Sequence, residues 1–185
     1  MNFARSIATA SVLVLALGTS ACLGTGHSIN AYAGSRFLNA DDWDDLDNPL
    51  TYGADAVLKV DIPWLAVEGG WLHTDDDKNV VGGTTDAKLT LDEYFVGLRV
   101  TPWTFIFEPY ASAGVSYVDS GLDATGVDAS DDVLAYYARL GGAFHMGPFR
   151  IGIDGRALFG SDVSLDTLES DVDGYTLMDF VGVGF

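Results

Sequence analysis

The sequence has one cysteine, Cys22, in 185 residues. A single cysteine excludes a disulfide within the chain, and with it a small fold held together by disulfides. Beyond residue 21 the chain also lacks any run of eighteen uncharged apolar residues, which excludes a helical membrane span there. Positive charge is scarce, since 9 Lys and Arg stand against 27 Asp and Glu, for a net charge of −18. This deficit argues against a nucleic-acid partner, because nucleic-acid binding needs a basic surface.

The first residues have the pattern of a secretory leader. Arg5 supplies a positive start, Ile7–Gly18 is apolar, and Thr19–Ala21 ends in small residues suited to cleavage. We therefore expect residues 1–21 to be a signal peptide that is removed before folding. Residues 22–27 are then a short N-terminal linker, and the folded domain covers residues 28–185.

Cys22 directly follows the expected cleavage point. The residues "TSAC" resemble a lipoprotein box, with Thr19 in the place where such boxes prefer Leu, and this resemblance implies acylation of Cys22. Ordinary cleavage at the same bond would instead leave a free N-terminal cysteine. Small residues before the cysteine serve both outcomes, and both stay open.

Eight later segments alternate apolar and polar residues with a period of two, which is typical of β-strands with two different faces. Each segment is about as long as a tilted strand that crosses a bilayer, or slightly longer. The final segment ends on Phe185 and is typical of a closing strand that pairs with the first, near Ile29–Phe37. The predicted strands lie near 28–39, 51–61, 63–73, 89–101, 103–118, 133–146, 148–160 and 174–185.

Two kinds of connection alternate strictly between these strands. Three are tight and contain proline, at Asp61–Pro63, Thr101–Trp103 and Met146–Pro148. The others, near 40–50, 74–88, 119–132 and 161–173, are long and rich in Asp and Gly. This alternation is typical of up-and-down outer-membrane barrels, with short periplasmic turns and longer external loops.

The two faces of each strand differ in chemistry, and aromatic residues indicate which face points outward. One face is apolar and the other carries the charges, a pattern that a soluble lipocalin-like barrel would also show. However, the apolar face of every strand has an aromatic residue at its loop end, as expected for a membrane-interface girdle. A second group, Trp103, Phe144, Phe149 and Phe185, stands at the turn end. The predicted external girdle is Phe37, Tyr52, Trp71, Tyr94, Tyr117, Tyr136, Phe159 and Tyr175.

Three stretches carry a family resemblance. "YFVGLRVTP" (Tyr94–Pro102), "PYASAGVSY" (Pro109–Tyr117) and the hairpin Gly142–Gly160 resemble the small outer-membrane barrels typified by the OmpA transmembrane domain and OmpX. The resemblance implies an all-β, transmembrane, eight-stranded antiparallel up-and-down barrel in the outer membrane of a Gram-negative cell envelope. It further implies a monomer that the barrel-assembly machinery inserts and that contacts lipid and lipopolysaccharide. Nothing in the sequence matches the peptidoglycan-binding domain of OmpA-type proteins.

The inward face of such a barrel would carry equal numbers of acids and bases. An eight-stranded barrel is only wide enough to be filled by side chains, and unpaired charges there would be costly. We therefore expect a salt-bridged, plugged lumen rather than a narrow ion path. The predicted lumen network is Arg36, Asp55, Lys59, Glu68, Glu93, Arg99, Glu108, Arg139, Asp154 and Arg156.

Most of the acidic residues fall in the predicted long loops. They form a solvated, repulsive rim, or they bind divalent cations directly or as bridges to lipopolysaccharide phosphates. The first loop offers hard oxygen ligands but lacks the Gly and distal Glu of an EF-hand loop, so a metal site is not assigned there. The candidate cation ligands of this loop are Asp41, Asp42, Asp44, Asp45 and Asp47.

The sequence favours a structural or surface-interaction protein without a cofactor and without catalysis. His73 near Asp75 resembles part of a catalytic pair, but no serine stands beside it in a matching motif. Two alternatives stay open: a lipid A-modifying outer-membrane enzyme, and a lipid-anchored soluble barrel that binds an apolar ligand.

Two residues do not suit the predicted strands. Pro109 lies inside strand five, where a missing N–H is tolerated at a bulge. Asp179 falls on the lipid face near mid-membrane, where a charge is expensive. We expect either a bulge that turns Asp179 inward or a register slip near Leu177.

Overall fold

The computed structural model describes residues 26–38, 49–79, 86–103, 105–124, 127–160, 162–165, 168–171 and 173–185. The predicted signal peptide, Cys22 and the candidate cation ligands at 41–47 lie outside these residues. Among the described residues, no helix is long and apolar enough to cross a membrane.

Eight antiparallel strands close into one barrel, which confirms the predicted fold class. Their order around the barrel is β1-β10-β7-β6-β5-β4-β3-β2, and β8 and β9 form a separate two-stranded hairpin. The strands are β1 Ser28–Leu38, β2 Leu50–Lys59, β3 Leu65–Asn79, β4 Asp86–Val100, β5 Phe107–Ala124, β6 Val127–Met146, β7 Phe149–Phe159, β8 Asp162–Leu165, β9 Leu168–Asp171 and β10 Gly174–Gly184.

The last long strand closes the barrel against the first, as predicted. The β1–β10 ladder runs without interruption from Ser28 opposite Gly184 to Leu38 opposite Gly174. The backbone amide of His27 then continues it by donating to the carbonyl oxygen of Phe185 at 3.1 Å. Closure leaves neither strand with an unpaired sheet edge on that side.

The strands at the loop end are longer than predicted. Residues 74–88 and 119–132 were predicted as loops, yet β3 pairs with β4 up to Asn79 opposite Asp86, and β5 pairs with β6 up to Ala124 opposite Val127. The segment predicted as a fourth loop contains the β8–β9 hairpin. The period-two pattern of apolar residues ends near the girdle, but backbone pairing needs no apolar side chain and continues beyond it.

The fifth strand starts later than predicted. It begins at Phe107 rather than residue 103, so Trp103 and Phe105 belong to the connection that precedes it. Pro102 favours this connection because proline has no N–H to donate to a ladder. The backbone amide of Thr101 instead donates to the carbonyl of Trp64 at 2.8 Å, across the neighbouring turn.

The predicted bulge at Pro109 is absent from the described ladder, and this expectation was wrong. Pro109 stands opposite Gly142 in a continuous β5–β6 register. On the other side, the β4–β5 ladder ends at Ala111 opposite Val100. Pro109 therefore pairs with a neighbouring strand on one side only. As in an edge strand, its missing N–H leaves no ladder hydrogen bond unmade on the other side.

The predicted bulge or slip at Asp179 was also wrong. Asp179 stands opposite Ala33 on β1 and opposite Ile153 on β7, in registers that run without interruption. Met178 and Phe180 point into the barrel and are buried, so Asp179 points outward and is exposed.

The inward glycine Gly97 gives a first testable prediction. A Cβ at this position would overlap the backbone of Ala113 and the hydroxyl of Tyr137. We expect Gly97→Ala to lower the free energy of unfolding by about 1–3 kcal/mol, the usual effect of overpacking. The measurement is guanidinium-induced unfolding in detergent micelles.

The matched control is the outward glycine Gly155. A Cβ there would meet only the Leu140 carbonyl oxygen, at an ordinary 3.7 Å. Gly155→Ala should therefore leave stability unchanged or raise it slightly. Equal destabilisation by both variants would contradict the close packing of the lumen beside Gly97.

Candidate functional site

The middle of the lumen holds two arginines and three carboxylates. Arg99 donates from Nε to Glu68 Oε2 at 2.6 Å and from Nη2 to Asp55 Oδ2 at 3.2 Å. Arg139 donates from Nη1 to Asp55 Oδ2 at 3.1 Å, and its Nη2 lies 3.1 Å from Asp154 Oδ2. All five side chains are buried and come from five different strands. We call this set of Asp55, Glu68, Arg99, Arg139 and Asp154 the central cluster.

Tyrosines complete the central cluster by donating to its carboxylates. The hydroxyls of Tyr32, Tyr110 and Tyr137 donate to Asp55 at 2.7 Å, Asp154 at 2.5 Å and Glu68 at 2.8 Å. The guanidinium of Arg99 also lies over the ring of Tyr110, 4.0 Å from its centroid. Each buried carboxylate thus has both a charged and a neutral donor, which offsets the cost of removing it from water.

A second cluster lies nearer the loop end, around Glu93. Its carboxylate accepts from Arg156 and from Ser116 Oγ at 2.7 Å, and Arg36 Nη1 lies 3.4 Å from its Oε2. The Arg156 guanidinium stacks over Phe95 and Tyr137, with centroid distances of 4.5 and 3.9 Å. Arg36 and Arg156 therefore both contact the Glu93 carboxylate.

A third cluster stands at the turn end, around Glu108. Arg150 Nη2 donates to Glu108 Oε1 at 2.6 Å, and the Nη1 of Arg150 donates to Ser28 Oγ. His145 Nε2 lies 3.3 Å from Glu108 Oε2. Arg150 is buried but is missing from the lumen network predicted from sequence, although it stands on the charged face of β7.

The structure separates one member from the predicted lumen set. Nine of its residues are buried: Arg36, Asp55, Glu68, Glu93, Arg99, Glu108, Arg139, Asp154 and Arg156. Lys59 is only half-buried and lines a cavity of about 490 Å³ at the turn end, beside His27 and His145. The three buried tyrosines were not predicted.

The outer wall has the opposite chemistry, and its aromatic residues lie at the two ends of the strands. At the turn end, Trp103, Phe105, Phe144 and Phe149 are exposed, whereas Phe185 is half-buried. Trp71 is half-buried because Tyr52 packs against it, with ring centroids 6.0 Å apart. The other predicted girdle residues are exposed at the loop end: Phe37, Tyr52, Tyr94, Tyr117, Tyr136, Phe159 and Tyr175.

His73 on the outer wall pairs with Asp92, not with Asp75 as the sequence suggested. Its Nδ1 lies 2.9 Å from Asp92 Oδ1, and the same oxygen accepts from Trp71 Nε1 at 2.9 Å. His73 and Asp92 stand directly opposite each other in the β3–β4 register, whereas Asp75 lies further along the same strand. No group of three or more His, Cys, Asp or Glu side chains in the described part of the chain could hold a metal ion.

No family model and no curated protein sequence matches this chain. Solved structures do match it. Neisserial surface protein A aligns with a TM-score of 0.63 and 15% identity, over 86% of this chain and 96% of that chain. Ail, the attachment invasion locus protein of Yersinia pestis, gives 0.56 and 16%, over 86% and 96%. The N-terminal β-barrel domain of Pseudomonas aeruginosa OprF gives 0.56 and 13%, over 85% and 97%. The chain therefore has the fold of the small eight-stranded outer-membrane barrels.

Proposed function

We propose that this chain is an outer-membrane barrel protein with a structural or surface-interaction role, a plugged lumen and an acidic external surface. One observation carries the proposal: the arginines and carboxylates of the three lumen clusters are buried inside the barrel, while the outer wall between the girdles consists mainly of exposed apolar side chains. Leu140, Ile153 and Val96 are 71%, 63% and 53% exposed, while the arginines and carboxylates of the lumen are buried. Water would not stabilise such a wall, whereas the hydrocarbon of a bilayer would.

The location follows from the girdles and from the fold. Exposed aromatic residues lie at both ends of the strands, and the wall between them is apolar, as expected between the two interfaces of a membrane. The similar structures are of outer-membrane proteins, and the predicted signal peptide would direct export. We therefore assign the loop end to the cell exterior and the turn end to the periplasm.

The lumen network supports a plug rather than a channel. Its three clusters occupy the loop end, the middle and the turn end of the barrel, and the barrel has only eight strands. Such a barrel is filled by its own side chains. The lumen acids and bases neutralise one another as ion pairs, so their presence is explained by a structural role and requires no transported ion.

The interaction role rests on the external surface. Asp119 and Asp132 stand opposite each other beyond the girdle, and both are exposed. Like charges in direct opposition destabilise a strand pair, which favours a role of this acidic surface outside the barrel, although Asp132 also hydrogen-bonds with the Tyr117 side chain. Two similar structures are of proteins named for the cell surface and for attachment, and we extend an interaction role of this kind to this chain.

We assign a packing role, rather than a catalytic one, to the His73–Asp92 pair. Among the described residues, His73 forms one hydrogen bond, to Asp92, and its ring centroid lies 5.1 Å from that of Tyr52 and 5.8 Å from that of Trp71. The pair thus supports the aromatic girdle. A lipid-modifying enzyme would need a nucleophile within reach of this histidine.

Two measurements on the full chain test the proposal. In membrane fractions, we expect the protein to resist extraction by salt and carbonate and to be released by detergent. Liposomes that contain the purified protein should swell in small sugars no faster than empty liposomes, because the lumen is filled. Release without detergent would contradict the membrane location, and rapid swelling would contradict the plug.

A further inference from the structure

Asp179 lies in the middle of the apolar wall. It is four residues from the girdle residue Tyr175 and four residues from Val183 near the other end of β10. Its neighbours on the outer face are apolar: Ala33 on β1 and Ile153 on β7 stand directly opposite it. If the wall faces lipid, as proposed above, this carboxyl group lies near the bilayer midplane.

A carboxyl group at that depth needs a hydrogen-bonding partner. Within the described part of the chain, no side chain hydrogen-bonds or ion-pairs with Asp179, and it stands outside all three lumen clusters. Lipid tails supply no donor, and an ionisable group in a membrane is expensive unless something pairs with it. The missing partner must therefore come from outside this barrel.

We propose that the partner is a second copy of this chain, joined across the wall of β1, β10 and β7, with Asp179 near the two-fold axis. Two copies with the same orientation in one membrane are related by an axis along the membrane normal. A residue that lies near this axis therefore contacts the same residue of the second copy, at the same depth in the membrane. Asp179 would then meet Asp179, and each carboxyl group would supply the hydrogen-bonding partner that the other lacks in the lipid.

The shape of the wall around Asp179 suits this arrangement. On the β1 side its outward neighbours are small, namely Ala31, Ala33 and Ser35. On the β7 side two of the three outward neighbours are large, since Ile151 is 43% and Ile153 is 63% exposed, and the third is Gly155. A two-fold axis at Asp179 places the small side of one copy against the large side of the other. The patch is therefore self-complementary, and the small residues let two convex walls approach closely.

This inference replaces the monomer expected from the sequence, and it rests on the proposed membrane location. We would introduce Asp179→Cys into the full chain and oxidise native outer-membrane fractions, with the unchanged chain as a measure of linkage through Cys22. The control is Leu98→Cys, which is also exposed and four residues from a girdle residue, Tyr94, but lies on the opposite side of the barrel. We expect a disulfide-linked dimer from Asp179→Cys and only the background of the unchanged chain from Leu98→Cys.

A second measurement uses variants that keep the wall free of new cysteines. Asp179→Leu removes the hydrogen bond at similar size and should weaken dimerisation in detergent by about three- to tenfold, whereas Asp179→Asn should retain it. Native mass spectrometry gives the dimer fraction at several protein concentrations.

Three results would overturn the inference. These are equal cross-linking of the Asp179→Cys and Leu98→Cys variants, a covalent product of Asp179→Cys with a different protein, and an unchanged dimer fraction in Asp179→Leu. Carbonate extraction of the same fractions separates this failure from that of the proposed function. A protein that stays in the membrane and is monomeric contradicts the dimer alone.

Discussion

Replacing Arg139 by methionine is expected to lower the free energy of unfolding by about 3–5 kcal/mol, the usual cost of removing one partner from a buried ion pair. Arg139 is the residue that joins the carboxylates of the central cluster. It contacts Asp55 at 3.1 Å and Asp154 at 3.1 Å, and it lies 3.6 Å from Glu68. Methionine would fill much of the volume but leave three buried carboxylates with one arginine between them.

The comparison variant is Lys59→Met, which removes a cation from the half-buried cavity at the turn end. Solvent screens charges there, so we expect a loss of less than about 1 kcal/mol. Guanidinium-induced unfolding in detergent micelles, with fluorescence as the probe, gives both values. Similar losses for the two variants would contradict the view that the central cluster holds the barrel together.

A double variant tests whether the loss comes from uncompensated charge. Asp154→Asn removes one of the carboxylates that Arg139→Met leaves unpaired, so the double variant should be more stable than the sum of the two single losses predicts. Strict additivity would indicate that the loss comes from the packing of the Arg139 side chain instead.

The strand faces could be predicted from the sequence because a lipid-facing wall has a strong signal. A lipid-facing strand carries apolar side chains along its whole length and aromatic residues at its ends. The period-two alternation and the positions of the aromatic residues therefore indicate the same outward face. Ile151 and Ile153 point outward and Arg150 and Asp154 point inward, as the alternation predicts. For the same reason the closing pair of β1 and β10 could be predicted without the structure.

The strand ends and the partners in the lumen could not be predicted in this way. Beyond the girdle, the Asp- and Gly-rich segments around Asp119 and Asp132 have no apolar period, yet their backbones pair. Which acid meets which base depends on strand register and barrel shear, which the period does not encode. The tyrosine donors were therefore missed, although Tyr110 on a charged face was an available signal. Arg150, by contrast, was within reach of the sequence, because the alternation already places it on the inward face of β7.

Asp179 shows why a local rule can mislead when the context is incomplete. The period placed it on the lipid face, and the expense of a charge there argued for a bulge. The structure keeps the period, so the sequence pattern was the better guide than the energetic objection. That objection now supports a partner outside the barrel rather than a change of register.

Leu98→Arg is expected to destabilise the protein in lipid vesicles by about 2–4 kcal/mol, because an arginine on the lipid face is most costly at the midplane. Leu98 is 54% exposed and lies four residues inside the girdle residue Tyr94. In a soluble barrel, by contrast, an exposed Leu→Arg change would alter stability by only about 0.5 kcal/mol.

The matched control for this variant is Leu134→Arg. Leu134 is 61% exposed on the same outer face, but it lies two residues beyond Tyr136 on the loop side. The same substitution should cost only about 0–1 kcal/mol there, since the cost falls towards the interface. Unfolding in phospholipid vesicles measures both variants. A depth-dependent difference can arise only if the wall is embedded in lipid, whereas equal values would contradict the membrane location even for a correctly folded barrel.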